Sequence, residues 1–202
     1  MTKSMHVLSA SVIVEFCKLC DWAHEVSLNH RELFDNNPRA TELMNSCAGE
    51  EFARLSIISQ EYSLLQIRKL HDKAVMNGNH TLGIEYVLTY GCWSNSVRDR
   101  LKALAEELNG FASLLRDARN KLLSHNDLAT IGAGAPLGGV ENGADAKYFK
   151  ALQAFVNTVH EEVVGGPWPF NDLVKNDVVA FLATIKPSSH KDAIDESRPM
   201  HN

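Results

Sequence analysis

Along most of this chain apolar residues recur every three or four positions, the period an α-helix needs to gather a hydrophobic stripe on one face. Val12, Phe16, Leu19, Ala23 and Val26 form the first such stripe and predict a helix from about Val7 to His30. Asp35-Asn36-Asn37-Pro38 breaks it, because proline and short polar side chains favour turns. From Glu50 to about Met76 the positions Phe52, Leu55, Ile58, Tyr62 and Leu65 keep the same steps, and Leu64, Ile67 and Leu70 widen the stripe. A face that broad predicts packing on more than one side. Asn77-Gly78-Asn79 supplies a stop, and Thr81 is placed to cap the next element.

Ile84 to Tyr90 is rich in β-branched and aromatic residues, yet a lone strand would lack a partner, so a short helix is expected there. Ser96 with Asp99 three residues on reads as a capping box for Val97, Leu101, Leu104 and Leu108. Gly110 is expected to interrupt that helix before Phe111, Leu114, Leu115, Ala118 and Leu122 restore the stripe. Ile131 to Asp145 carries five glycines and Pro136, a flexible loop by composition, and lacks the G-K-[ST] ending of a phosphate-binding loop. Helicity resumes with Phe149, Leu152, Phe155, Val159 and Val163, stops at Gly165-Gly166-Pro167, and returns with Val174, Val178, Phe181, Leu182 and Ile185. The expected fold is all-α, a bundle of about six to seven helices with a glycine-rich loop after the helix that carries Ala118 and Leu122. One domain is expected over residues 1–186, its core at about 50–185, followed by a disordered polar tail, 187–202.

At 202 residues the chain is long enough to bury a core without help from a metal or disulfide. No apolar run approaches a membrane span, and the N-terminus lacks the apolar stretch of a secretory signal, so the cytoplasm is the expected compartment. Cys17, Cys20, Cys47 and Cys92 read as reduced, buried thiols; Cys17 and Cys20 are spaced C-x-x-C, but no second pair completes a zinc site. The net charge of -5 gives no global attraction to nucleic acid. A local exception runs from Arg98 to Lys121, where six basic residues stand against four acidic ones.

Within that stretch begins Arg119-Asn120-Lys121-Leu122-Leu123-Ser124-His125-Asn126-Asp127. An arginine and a polar residue followed after four positions by histidine resembles the signature of HEPN domains. Among them the chain is most similar to AbiU-type, abortive-infection HEPN proteins, in which an acidic residue often follows as Asp127 does. Lys69-Leu70-His71-Asp72 and Thr81-Leu82 resemble that family's basic-Leu-x-Asp and Thr-Leu elements, and Phe155-Val156-Asn157 and Asp177 are also similar. The likeness reaches from about Glu50 to Ile185; Lys69 and Ser124 depart from the arginine and alanine common there. It implies a dimeric helical bundle, in many members a metal-independent ribonuclease of toxin–antitoxin or phage-defence systems that needs no cofactor and leaves a cyclic phosphate.

Physical chemistry says why such residues would serve. Arg119 offers a permanently charged, planar fork of donors to a phosphate, and His125 can exchange a proton near neutral pH. Asn120 is suited to orient either. Lys121, Arg116, Asp127 and Asp72 are candidate phosphate-binding or supporting groups, Asp72 as an acidic partner for a motif cation. On a straight helix, residues six apart lie about 120° and ~9 Å from each other, so Arg119 and His125 do not stack on one face. The arginine reaches around, the helix ends near Ser124, or a two-fold partner completes the site.

The plainer alternative is that Arg119, Lys121 and His125 are cations in the last turns of a helix, where the dipole favours them. Outside the motif, His24, His30 and His71 show no metal-ligand spacing and read as partly exposed or satisfied in the core. Trp93, Trp168 and Phe170 read either as a base-stacking surface or as core plugs. Two functions follow: a homodimeric ribonuclease acting on RNA, with an antitoxin or defence-system protein as partner, or a non-catalytic dimeric helical module that binds a nucleotide, RNA or protein.

Overall fold

A computed structural model of the chain describes residues 8–35, 37–118 and 143–185. Six α-helices occupy them: α1 Ala10–His30, α2 Pro38–Leu70, α3 Ile84–Tyr90, α4 Asn95–Ala118, α5 Ala144–Val163 and α6 Val174–Thr184. The fold is all-α, as expected. A single wide π-type turn, Arg31–Asp35, continues α1, and Pro38 begins α2 where its missing N–H costs nothing. Ser9 and Asn37 cap α1 and α2 by accepting from the amides of Val12 and Ala40 at 3.3 and 3.0 Å.

The core is built on α5. Tyr148, Phe149, Leu152, Phe155, Val156 and Val159 are all buried, so α5 is apolar around much of its circumference and sits at the centre. Against it lies α1, with Ile13, Phe16, Cys17, Cys20 and Ala23 buried. Phe16 meets Phe155 edge to face at 5.9 Å while His24 meets Phe149 at 5.2 Å, so the two helices run antiparallel. Leu101, Ala105 and Leu108 of α4, Ile67 and Leu70 of α2, and Ile84 and Val87 of α3 complete the cluster.

Several local expectations are corrected. The second helix begins at Pro38 and ends at Leu70, with a kink at Ala48 (φ -158°, ψ 63°). The kink resets the helical phase, which is why the apolar pattern is legible only from Glu50. Beyond Leu70 the chain forms a two-residue antiparallel hairpin, Val75–Met76 with Asn79–His80. Asn77 and Gly78 form its turn with φ 51° and 82°, so the Asn-Gly pair turns a hairpin where a helix stop was expected. Thr81 does not cap α3; Gly83 precedes it. Ser94, not Ser96, accepts from the Val97 amide, at 3.4 Å, and α4 passes through Gly110 without a break. Asp145 stands in the first turn of α5, not in a loop.

The broad stripe of α2 is only half used. Ser63, Ile67 and Leu70 are buried, but Leu55, Ile57, Ile58, Tyr62 and Leu65 face outward, Ile58 59% and Tyr62 42% exposed. Cys17 and Cys20 are buried thiols, and burial pushes Cys17 up to about 12, holding it in its protonated, unreactive form. Cys92 is exposed, against expectation. Residues 131–142 and 187–202 lie outside the described residues.

Two glycines make opposite predictions. A Cβ on Gly83 would stand 2.7 Å from the Leu70 carbonyl oxygen, because the backbone enters α3 against the end of α2. Gly83→Ala should lower stability by about 1–3 kcal/mol. On Gly110 a Cβ meets nothing within 4 Å. Gly110→Ala should raise stability by about 0.5–1 kcal/mol, since alanine loses less freedom in a helix interior. Urea midpoints of both variants check the pair of signs.

Candidate functional site

Arg119, Asn120, Lys121, His125 and Asp127 lie outside the described residues. The structure describes the chain on either side of them. Helix α4 is described to Ala118, the residue before Arg119, with Arg116 in its last turn, and α5 begins at Ala144 and packs on α4.

The end of α2, where Lys69-Leu70-His71-Asp72 stands, is tied to both helices. His71 Nδ1 lies 2.9 Å from Asn109 Oδ1 of α4, and Nε2 lies 3.0 Å from Tyr148 Oη of α5. An amide oxygen only accepts, so Nδ1 carries the proton and Nε2 accepts from the phenol. That arrangement needs a neutral imidazole. Burial lowers the pKa of His71, with Arg68 acting in the same direction and the Asn109 bond and Asp72 against it. Burial also raises that of Tyr148, which keeps its donor proton. With both nitrogens engaged, His71 has no lone pair or proton to spare for substrate.

Two neighbours in that segment are engaged as well, while Lys69 is exposed. Leu70 is buried, and Asp72 pairs with Arg68 at 3.1 Å, one helical turn back. Arg68 also donates to the His71 carbonyl at 3.0 Å, folding over the end of the helix. Asp72 thus has a partner within α2, while the motif cations Arg119 and Lys121 that it was expected to meet lie outside the described residues. Asn157, another residue of the resemblance, accepts from the Trp168 amide at 3.0 Å and so holds the linker that follows α5. Trp93 is a core plug whose indole donates to the Val87 carbonyl at 3.0 Å, while Trp168 and Phe170 pack half-buried on the core.

Among the described residues no group of three His, Cys, Asp or Glu side chains is placed to hold a metal ion, and no helix is long and apolar enough to cross a membrane. What sequence reading missed is His24: its Nδ1 is buried without a hydrogen-bond partner, and no residue spacing announces that.

The histidines set a pH dependence. Burial lowers the pKa of His24, His30 and His71 in the fold. The unfolded chain therefore takes up these protons first, near pH ~6.5, while the folded chain still refuses them. Their stabilising contribution is complete above that pH and is lost as pH falls from there towards the folded-state values. The urea midpoint should thus drop between about pH 7.5 and about pH 5.5, and His71→Gln should drop less. An equal drop in the variant would remove His71 from this account.

A family model described as AbiU2, of the HEPN type, matches residues 11–181. No curated protein and no solved structure shows significant similarity to the chain. The match takes in α1, which the motif likeness from about Glu50 onward did not reach, and it runs through the Arg119–His125 segment and most of α6. The chain belongs to the AbiU2 family of HEPN-like helical domains.

Proposed function

We propose that this protein is a metal-independent endoribonuclease of phage defence, or of toxin–antitoxin growth arrest. The observation that carries the reading is the sequence Arg119-Asn120, four residues, His125, inside a span that belongs to a HEPN family. Arg119 would hold the scissile phosphate and meet the charge that grows on it. His125 would take the proton from a ribose 2′-hydroxyl as its oxygen attacks phosphorus, and the bond from phosphorus to the 5′-oxygen would break as that oxygen takes a proton from the imidazolium or from water. Asn120 would position the pair, with Lys121 and Arg116 adding phosphate contacts and Asp127 or Asp72 supporting them.

A homodimer belongs to this reading. Arg119 and His125 diverge by about 120° on a straight helix, so a two-fold copy is a natural way to close the site. The unused apolar face of α2 supports self-association. An antitoxin or another defence-system protein, in the cytoplasm, would then be the controlling partner. The alternative is a non-catalytic dimeric helical module that binds a nucleotide, RNA or protein, and the net charge of -5 favours it to the extent that RNA binding rests on positive charge.

Purified protein is expected to cleave RNA in the presence of EDTA, and His125→Ala to lower the rate at least about 100-fold with an unchanged urea midpoint. Cleavage retained in that variant would remove the catalytic assignment. No cleavage, with RNA binding that is lost in Arg119→Ala, would select the non-catalytic module.

A further inference from the structure

A cleft of about 380 Å³ opens where the second half of α1, the first turns of α5 and the linker before α6 converge. That volume is in the range of small-ligand sites. It is also built from held parts. Gln153 accepts from the Phe170 amide at 2.7 Å and donates to the Trp168 carbonyl at 2.6 Å, while Asp21 and Glu25 of α1 accept from Asn171 at 2.8 and 2.6 Å. The linker is thereby fixed to both helices, and Phe170 stacks on His24 with centroids 5.0 Å apart and planes 25° apart.

The cleft is lined by charges of both signs, with three cations among them. Arg31, Lys150 and Lys175 line it, against Asp145 and Asp172. None of the three cations is tightly engaged. Arg31 stands 3.6 Å from Asp145 and 3.5 Å from Glu32, and Lys175 stands 4.0 Å from Asp172. Lys150 has no ion-pair partner among the described residues. Strong charge-assisted hydrogen bonds are ~2.7–2.9 Å long, so all three retain donors for an anion.

Two further groups on the α1 side want partners. His24 and Ser27 line the cleft one helical turn apart, and His24 Nδ1 and Ser27 Oγ are buried with no hydrogen bond. Such atoms cost free energy until something satisfies them. Rotation of a hydroxyl or an imidazole is a small adjustment that turns them to a ligand. Burial holds His24 neutral, so its ring offers one donor and one acceptor.

We propose that this cleft binds a small phosphate monoester with a flat ring: the phosphate between Arg31, Lys150 and Lys175, the ring against Phe170, and a polar ring edge towards His24 and Ser27. Phosphate fits better than carboxylate because a monoester carries close to two negative charges at neutral pH and rewards several cations at once. The proposal does not rest on the ribonuclease reading.

Isothermal titration of the full chain with AMP, CMP and phenyl phosphate tests this. At least one should bind with a Kd below about 1 mM, and adenosine and inorganic phosphate, each lacking one half of the ligand, at least about tenfold more weakly. Lys150→Gln removes an exposed cation with no folding role; it should weaken the monoester about tenfold and leave the urea midpoint unchanged. Asp145→Asn should strengthen binding by releasing Arg31, and His125→Ala should not alter it. The proposal is overturned if none of the three monoesters binds, if adenosine binds as well as AMP, or if a Lys150→Gln, Lys175→Gln double variant binds normally. Loss of binding in His125→Ala would assign the ligand to the motif and overturn it equally.

Discussion

The antiparallel contact of α1 with α5 is what the remaining elements arrange themselves around. Phe16 on Phe155 and His24 on Phe149 mark its two ends, and between them Cys17, Cys20, Ala23 and Leu152 are almost wholly removed from water. Burial of that extent in facing helices supplies most of the drive for a helical domain, since isolated helices in water are marginal. Small side chains at Cys17, Cys20 and Ala23 let the two helices approach closely enough for the large rings to interlock.

Polar ties then decide which neighbours the central pair accepts. His71 joins α2 to α4 and α5 through one neutral imidazole, and Gln153 with Asn157 pins the linker after α5 so that Phe170 returns to α1. These bonds act in partly buried surroundings, where an unmade partner costs more than a made one gains. They therefore work as selectors of one arrangement. The same ties leave an open cleft between α1, α5 and the linker, and they leave the outer face of α2 uncovered.

Much of the architecture was legible because helical periodicity depends on local spacing alone. The helices α1, α4 and α5 follow from it, although Leu19 and Leu114 of the expected stripes are exposed; α3 followed from the want of a strand partner, and the motif that marks the family is a run of adjacent residues. Errors arose where local rules competed. Asn77-Gly78 serves a helix end or a hairpin equally well, and the choice fell to the hairpin once α2 had stopped at Leu70. Gly110 breaks a helix by propensity, yet Leu108 and Leu115 on either side are buried, and that packing outweighs about 1 kcal/mol of glycine cost. The kink at Ala48 hid the first turns of α2 by shifting the phase of its apolar face.

By itself the sequence determined the all-helical class, the order of the helices and the chemical character of the arginine–histidine motif, all of which depend on neighbours a few residues apart. Only tertiary structure decided that His71 is spent on holding three helices together, and that His24, Arg31, Lys150 and Phe170 share one cleft. His71 meets partners on two other helices, and the cleft joins segments more than a hundred positions apart in the chain; no local period records which faces of two helices will meet.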